Sequence, residues 1–153
     1  MTTAAPGAAL DPVGVEARLP HRFPFLLVDR VQELVPGKGG RGIKGISAGE
    51  LLGPGQAFPG LLILEAGAQL LGLVAGAAGG EPPAEPAVGY LAAIQEFHCH
   101  RAVKAGDLLQ VEVELGRRFG PLLQGRVRAL VAGELVAEGR LTATNGGAPG
   151  AGR

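Results

Sequence analysis

The sequence predicts an α+β fold in which one long central helix is wrapped by a curved antiparallel β-sheet. Residues 61–76 supply the helix, a Pro-free run of Leu, Ala and Gly about four turns long. Later in the chain the period changes to two: Leu109, Val111, Val113 and Leu115 alternate with Gln110, Glu112 and Glu114, the mark of a strand with one face buried. These strands follow the helix as a block, without further helices between them, which argues against a parallel βαβ sheet. So apolar a helix needs cover on most of its circumference, and a sheet of consecutive strands curved around it supplies that cover.

Residues 1–14 read as a flexible leader, 15–144 as a single domain and 145–153 as a flexible tail. FPFLLVDRVQEL (23–34) is a strand or short helix, closed by the turn residues at 36–40. RGIKGIS (41–47) is a short strand, and SAGELLGPGQAFPG (47–60) is a loop with room for one helical turn. Gly67, Gly72 and Gly76 weaken the helix slightly but allow neighbours to approach it closely. AGGEPPAEPAVG (78–89) can continue no element and is a linker loop. GYLAAIQEFHCHRAV (89–103) begins the strand region, followed by LLQVEVELGRR (108–118), LLQGRVRALVAG (122–133) and ELVAEGRLTA (134–143). A hairpin turn at 132–134 joins the last two. Gly106 and Asp107 form a turn in which the Asp107 carboxylate is used locally.

Fourteen basic and fourteen acidic residues cancel, so no net charge draws the chain toward nucleic acid or an anionic membrane surface. Residues 61–78 are barely long enough to span a bilayer and carry Glu65 and Gln69. They read as a buried helix of a soluble protein, with no membrane insertion. The amino terminus lacks the basic flank and apolar core of a secretory signal, Cys99 has no second cysteine to pair with, and a cytoplasmic location is expected. GKGGRG (37–42) lacks both the terminal Ser/Thr and the following helix of a phosphate loop. His98 and His100 share one side of a strand, but two ligands are too few, and no metal is expected.

The central helix carries the chemistry. Pro59-Gly60 marks its entry, where free backbone N–H groups and the positive end of the dipole can hold a carbonyl oxygen or an oxyanion. Glu65 and Gln69, four residues apart, share a face with Leu61, Leu62, Ala68 and Gly72. That combination describes an apolar channel with a carboxylate in its wall. Glu65 is then a general acid or base, or alternatively a structural carboxylate paired across an interface; the residues alone leave both open. Gln69 has no proton chemistry and is expected to tie the helix to a neighbouring loop or subunit. Helix faces left over by one short sheet predict a homodimer.

LPHRFPFLLVDRVQEL (19–34), PGLLILEAGAQLLG (59–72) and FHCHRAVKAGDLLQVEVEL (97–115) resemble successive blocks of the FabZ/FabA-like 3-hydroxyacyl-acyl-carrier-protein dehydratases. GELVAEGRLTA (133–143) resembles their last hairpin. The resemblance implies a hot-dog fold, a dimer whose sheets join edge to edge, and a trimer of dimers as a further assembly. It also implies an acyl carrier protein or CoA thioester as substrate, the phosphopantetheine arm arriving with it and no other cofactor. On this likeness Glu65 takes the place of the acid that protonates the leaving hydroxyl. Gly60 takes that of the amide that polarises the thioester carbonyl, and Gln69 that of the family's Gln one turn on. Leu61 and Leu62 would line the acyl site.

The family's base, a His in a Gly-His-Phe-Pro motif before the helix, has no counterpart here. ELLGPGQAFPG (50–60) contains no His and is several residues short. His98 or His100 are the replacement candidates, with His21 of the PHRFPF block a further one; Cys99 points the other way. Three functions follow: a dehydratase-like enzyme of fatty-acid or polyketide-type synthesis, a non-catalytic homologue that binds an acyl chain or carrier or else partners an active subunit whose His completes a mixed site with Glu65, or a thioester hydrolase using Glu65.

Overall fold

The computed structural model describes residues 7–51, 53–77 and 88–144. In chain order the elements are β1 (Ala8–Leu10), α1 (Pro12–Glu16), β2 (Arg30–Val35), β3 (Gly39–Gly45), a 3-10 turn (Ala48–Glu50), α2 (Gly60–Gly76), β4 (Leu91–Cys99), β5 (Leu108–Phe119), β6 (Leu122–Val131) and β7 (Glu134–Thr144). The strands form one seven-stranded sheet in the order β1-β2-β3-β5-β6-β7-β4. Every pairing is antiparallel.

The sheet wraps α2. Ile63, Leu64, Leu70, Leu71 and Val74 of the helix are buried in one cluster with Val111, Val113, Val127 and Leu141 of the strands. Two glycines bring the layers close. A Cβ on Gly67 would lie 2.5 Å from Val127 Cγ1, and one on Gly125 would lie 2.5 Å from Leu71 Cδ1. The β6–β7 hairpin turns on Ala132 and Gly133, both at positive φ (49° and 81°), as a two-residue turn matching the strand twist requires. Before β5, the Lys104 amide donates to Asp107 Oδ2 at 2.9 Å, the local role expected of that carboxylate.

Residues 8–14 correct the expected leader, because they are built into the fold. β1 pairs with β2, and the Asp11 carboxylate caps α1 by accepting from the Gly14 amide at 2.7 Å. Pro12 follows at the helix start and Val15 is fully buried. Pro12 and Gly14, which suggested flexibility, are first-turn residues behind the Asp11 cap. Residues 1–6, the tail at 145–153 and most of the linker at 78–89 lie outside the described residues.

Lys44, 5% exposed, reaches the Glu50 carboxylate and stands 3.9 Å from Asp29 Oδ1, while Asp29 Oδ2 accepts from the Gly45 amide at 2.7 Å. Burial pushes the Glu50 carboxyl up, but hydrogen bonds from Lys44 and the Ser47 amide outweigh it and hold the group below its ordinary value. A carboxyl lowered in the folded state stabilises the protein above its unfolded value, and that stability is lost as pH falls through the folded one. Glu50→Gln is therefore expected to lower stability at pH 7 and to flatten the acid limb of a urea-midpoint titration below about pH 4.5. Equal midpoints for both proteins at pH 7 would refute it.

At the other end of the sheet, among the described residues, β4 pairs with β7 on one side only. Leu91 and Ile94 are exposed along it, as are Val88 and Tyr90 just before it.

Candidate functional site

α2 leaves one stripe uncovered: Leu61 and Gly72 are exposed, while Glu65 and Ala68 are half-buried. Leu62, expected on the same face, is half-buried like Ala68, and both pack in part against the core. The Glu65 side chain retains 37% of its exposure. Its Oε1 accepts from Gln69 Nε2 at 3.0 Å, and His21 Nε2 stands 3.3 Å from the same oxygen. Oε2 has no partner among the described residues and is not among the sealed side-chain atoms.

Gln69 does what the sequence led us to expect of it. Only 1% exposed, it donates from Nε2 to Phe25 O at 2.7 Å and accepts at Oε1 from the Leu27 amide at 2.9 Å and the Val28 amide at 3.4 Å. With the bond to Glu65, both its donors and both acceptor positions are used. The segment before β2 is thereby fixed to the helix and delivers His21 to Glu65. This is the contact that residue-by-residue reading missed. The available signal was indirect: once Gln69 is bound to 25–28, the His four residues before Phe25 has to lie within reach of the preceding helical turn.

At the helix entry, Leu62 and Ile63 donate to Pro59 O, whereas the Gly60 and Leu61 amides have no hydrogen-bond partner among the described residues. Gly60 sits in a close approach: a Cβ there would lie 2.6 Å from Cys99 Sγ and 3.6 Å from Phe97 Cε1, so the cysteine side chain would have to shift. Cys99 thus faces the helix entry, although it is exposed and not a core residue.

His98 and His100 lie elsewhere. Phe97 packs over Gly139 on the helix side of the sheet, while the two imidazoles stack with centroids 6.5 Å apart on its outer side. There His100 Nε2 is 3.3 Å from Glu138 Oε1, and His98 lines a shallow groove of about 600 Å³ with Glu96, Arg126, Glu138 and Arg140. Hydrogen bonds from Arg126, then from His100, hold the Glu138 carboxyl below its ordinary range. Strand alternation is the reason: with Phe97 and Cys99 turned to the helix, their neighbours turn away. Within a protomer neither His shares a cavity wall with Glu65. No group of three or more metal-ligating side chains occurs among the described residues.

Comparison with known proteins agrees with this architecture. The model of the FabA-like domain matches residues 19–140. The 3-hydroxyacyl-[acyl-carrier-protein] dehydratase FabZ of Bacillus pumilus is 38% identical over 138 residues, covering 87% of this chain and 94% of the relative. The Geobacillus enzyme of the same name is 42% identical over 134 residues, covering 84% and 90%. Among solved structures, the dehydratase heterocomplex ApeI:P from Xenorhabdus doucetiae superimposes with a TM-score of 0.77 at 19% identity, over 95% of this chain and 94% of that one. A hypothetical thioesterase from Streptococcus pneumoniae with coenzyme A gives 0.60 at 15% identity, over 74% and 82%. The helix-and-sheet architecture, the matched span and the dehydratase relatives together make this chain a member of the FabA-like family, with the hot-dog fold.

Proposed function

We propose that this chain is a dehydratase-like protein of fatty-acid or polyketide-type synthesis that receives 3-hydroxyacyl thioesters from a carrier protein or CoA. It presents Glu65 to their hydroxyl and brings no C2 base of its own. The observation that carries this reading is the state of the Glu65 carboxylate, held at Oε1 and open at Oε2 on the uncovered stripe of α2.

Dehydration removes a proton from C2 and expels the C3 hydroxyl as water. A carboxylic acid at Glu65 can protonate the departing oxygen, and the unpartnered amides at the start of the 17-residue helix can polarise the thioester carbonyl. Abstraction of the C2 proton needs a second group on the other side of the substrate. His21 is beside Glu65, not opposite it, and His98 and His100 belong to the outer face of the sheet. The homomer therefore binds its thioester and dehydrates it feebly.

Assembly is part of this proposal. The one-sided, apolar β4 supports a homodimer joined edge to edge, and a trimer of dimers extends it. The same open edge favours a second reading, an accessory subunit whose His-bearing partner chain completes a mixed site with Glu65. No helix among the described residues is long and apolar enough to cross a membrane, and we place the work of the chain in the cytoplasm.

The test is to incubate the purified protein with 3-hydroxyacyl and plain acyl carrier thioesters, following enoyl absorbance and free thiol together. Tight binding with little enoyl product is expected. Rapid enoyl formation, lost in Glu65→Gln but indifferent to every His substitution, would refute the missing base. Thiol release without enoyl would establish hydrolysis instead.

A further inference from the structure

We infer that Phe97 is a positioning residue for the thioester carbonyl: wedged between Gly139 of β7 and Gly60 of α2, it sets where the first turn of the helix stands against β4. The inference rests on the reading of the free amides in that turn as the group that polarises the carbonyl.

Simple alternation would not bring this ring inward. Gln95 faces outward, where its Oε1 accepts from Gln124 Nε2 at 3.2 Å, so an unbroken strand would turn Phe97 outward as well. The register prevents it: Gln95 pairs with Arg140 and His98 with Glu138, which leaves one extra residue on β4. That bulge reverses the faces, and Phe97 turns to the helix. Glu96 absorbs the change at a φ of 51°, a conformation uncommon for a residue with a side chain, and Arg140 holds its carboxylate from the outer face.

The ring then needs space on both sides, and a glycine supplies each. A Cβ on Gly139 would lie 2.9 Å from Phe97 Cα and 2.9 Å from its Cδ2, so a larger residue there would push the β4 backbone away. Toward the helix, Cε1 lies 3.6 Å from where a Gly60 Cβ would stand. Half-buried and packed against the core, Phe97 thus reaches from β7 to the start of α2. Among the described residues β4 has one strand neighbour, so no second ladder fixes its distance from the helix. The aromatic wedge does. That distance matters because the Gly60 and Leu61 amides are the free donors, and a donor displaced by about 1 Å loses most of its hold on a developing oxyanion.

Calorimetry on the full chain would compare butyryl-CoA with S-butyl-CoA, which differ only in the carbonyl oxygen that the amides would hold. The native protein is expected to prefer the thioester by about fivefold, the size of one neutral hydrogen bond. Phe97→Leu keeps an apolar side chain but falls short of Gly60, and Gly139→Ala displaces the ring from a different strand. Each should cut the preference below about twofold, and the double variant should lose no more than the larger single loss, because both act through one ring. Leu123→Ala is the control for stability alone: it opens the buried core on the row of Leu91, at the other end of β4 from Cys99. It should lower the thermal midpoint and leave the preference intact. A preference kept in Phe97→Leu or in Gly139→Ala, or lost equally in Leu123→Ala, would overturn the inference and leave the role of the amides standing. No thioester preference in the native protein would overturn that role and the inference with it.

Discussion

The purified homomer is expected to form enoyl product from a 3-hydroxyacyl carrier thioester about 10²–10⁴-fold more slowly than a His-bearing relative assayed beside it, the range a positioned general base supplies. Grafting that relative's longer loop in place of residues 51–57 should recover most of the deficit. The expectation comes from the connection before α2. One end is held by Glu50, bound to Lys44 and to the Ser47 amide, and the other by buried Phe58, whose amide donates to Val103 O at 2.7 Å. Between them, residues 54–57 are exposed. Both anchors survive a graft, and lengthening a surface loop by several residues costs well under about 1 kcal/mol in closure entropy. Parity between the unmodified protein and its relative would show that another group removes the C2 proton.

The second large effect falls on stability. Gln69→Leu should destabilise the fold by about 2–4 kcal/mol, because it strands the buried Leu27 amide and the part-buried Phe25 carbonyl at once. At about 3 °C or more per kcal/mol, the thermal midpoint should fall by roughly 10 °C. The loss should not be confined to the helix. Residues 21–28 depend on the same amide, so their backbone protection from hydrogen exchange should drop further than that of β5 or β6. A midpoint within about 2 °C of the native protein would mean that the loop is held by other contacts.

How much of this was legible in advance depends on how local each cause is. α2 was legible because sixteen residues of one chemical character follow a Pro-Gly entry, and it runs from Gly60 to Gly76. β5 to β7 were legible because alternation and an Ala-Gly turn are local signals. Residues 8–16 were not: their order comes from pairing with β2 and from one capping bond, while their composition reads as flexible. The faces of His98 and His100 could be read relative to each other, yet not relative to α2. That depends on Gly139 admitting Phe97 and on the irregular register between Gln95 and His98, where Glu96 takes a φ of 51°. The candidate site was half visible. Glu65 and Gln69 announce themselves as polar residues four apart in an apolar helix, but the partner of Glu65 lies 44 positions earlier and only the fold brings it there.

An open strand edge couples folding to concentration. β4 meets β7 with one side of its backbone; among the described residues nothing pairs with its other side, beside which Leu91 and Ile94 are exposed, and in the proposed edge-to-edge dimer a second chain would cover it. Association of that kind would bind the native state and not the unfolded one, so on the proposed dimer dilution should weaken the fold by mass action and a higher protomer concentration should strengthen it. The melting temperature should accordingly climb by several degrees between about 1 and 100 μM protein, since a hundredfold change corresponds to about 2.7 kcal/mol. Below the dissociation constant, the uncovered edge becomes a template for strands of other molecules, and loss by aggregation should then outpace simple unfolding.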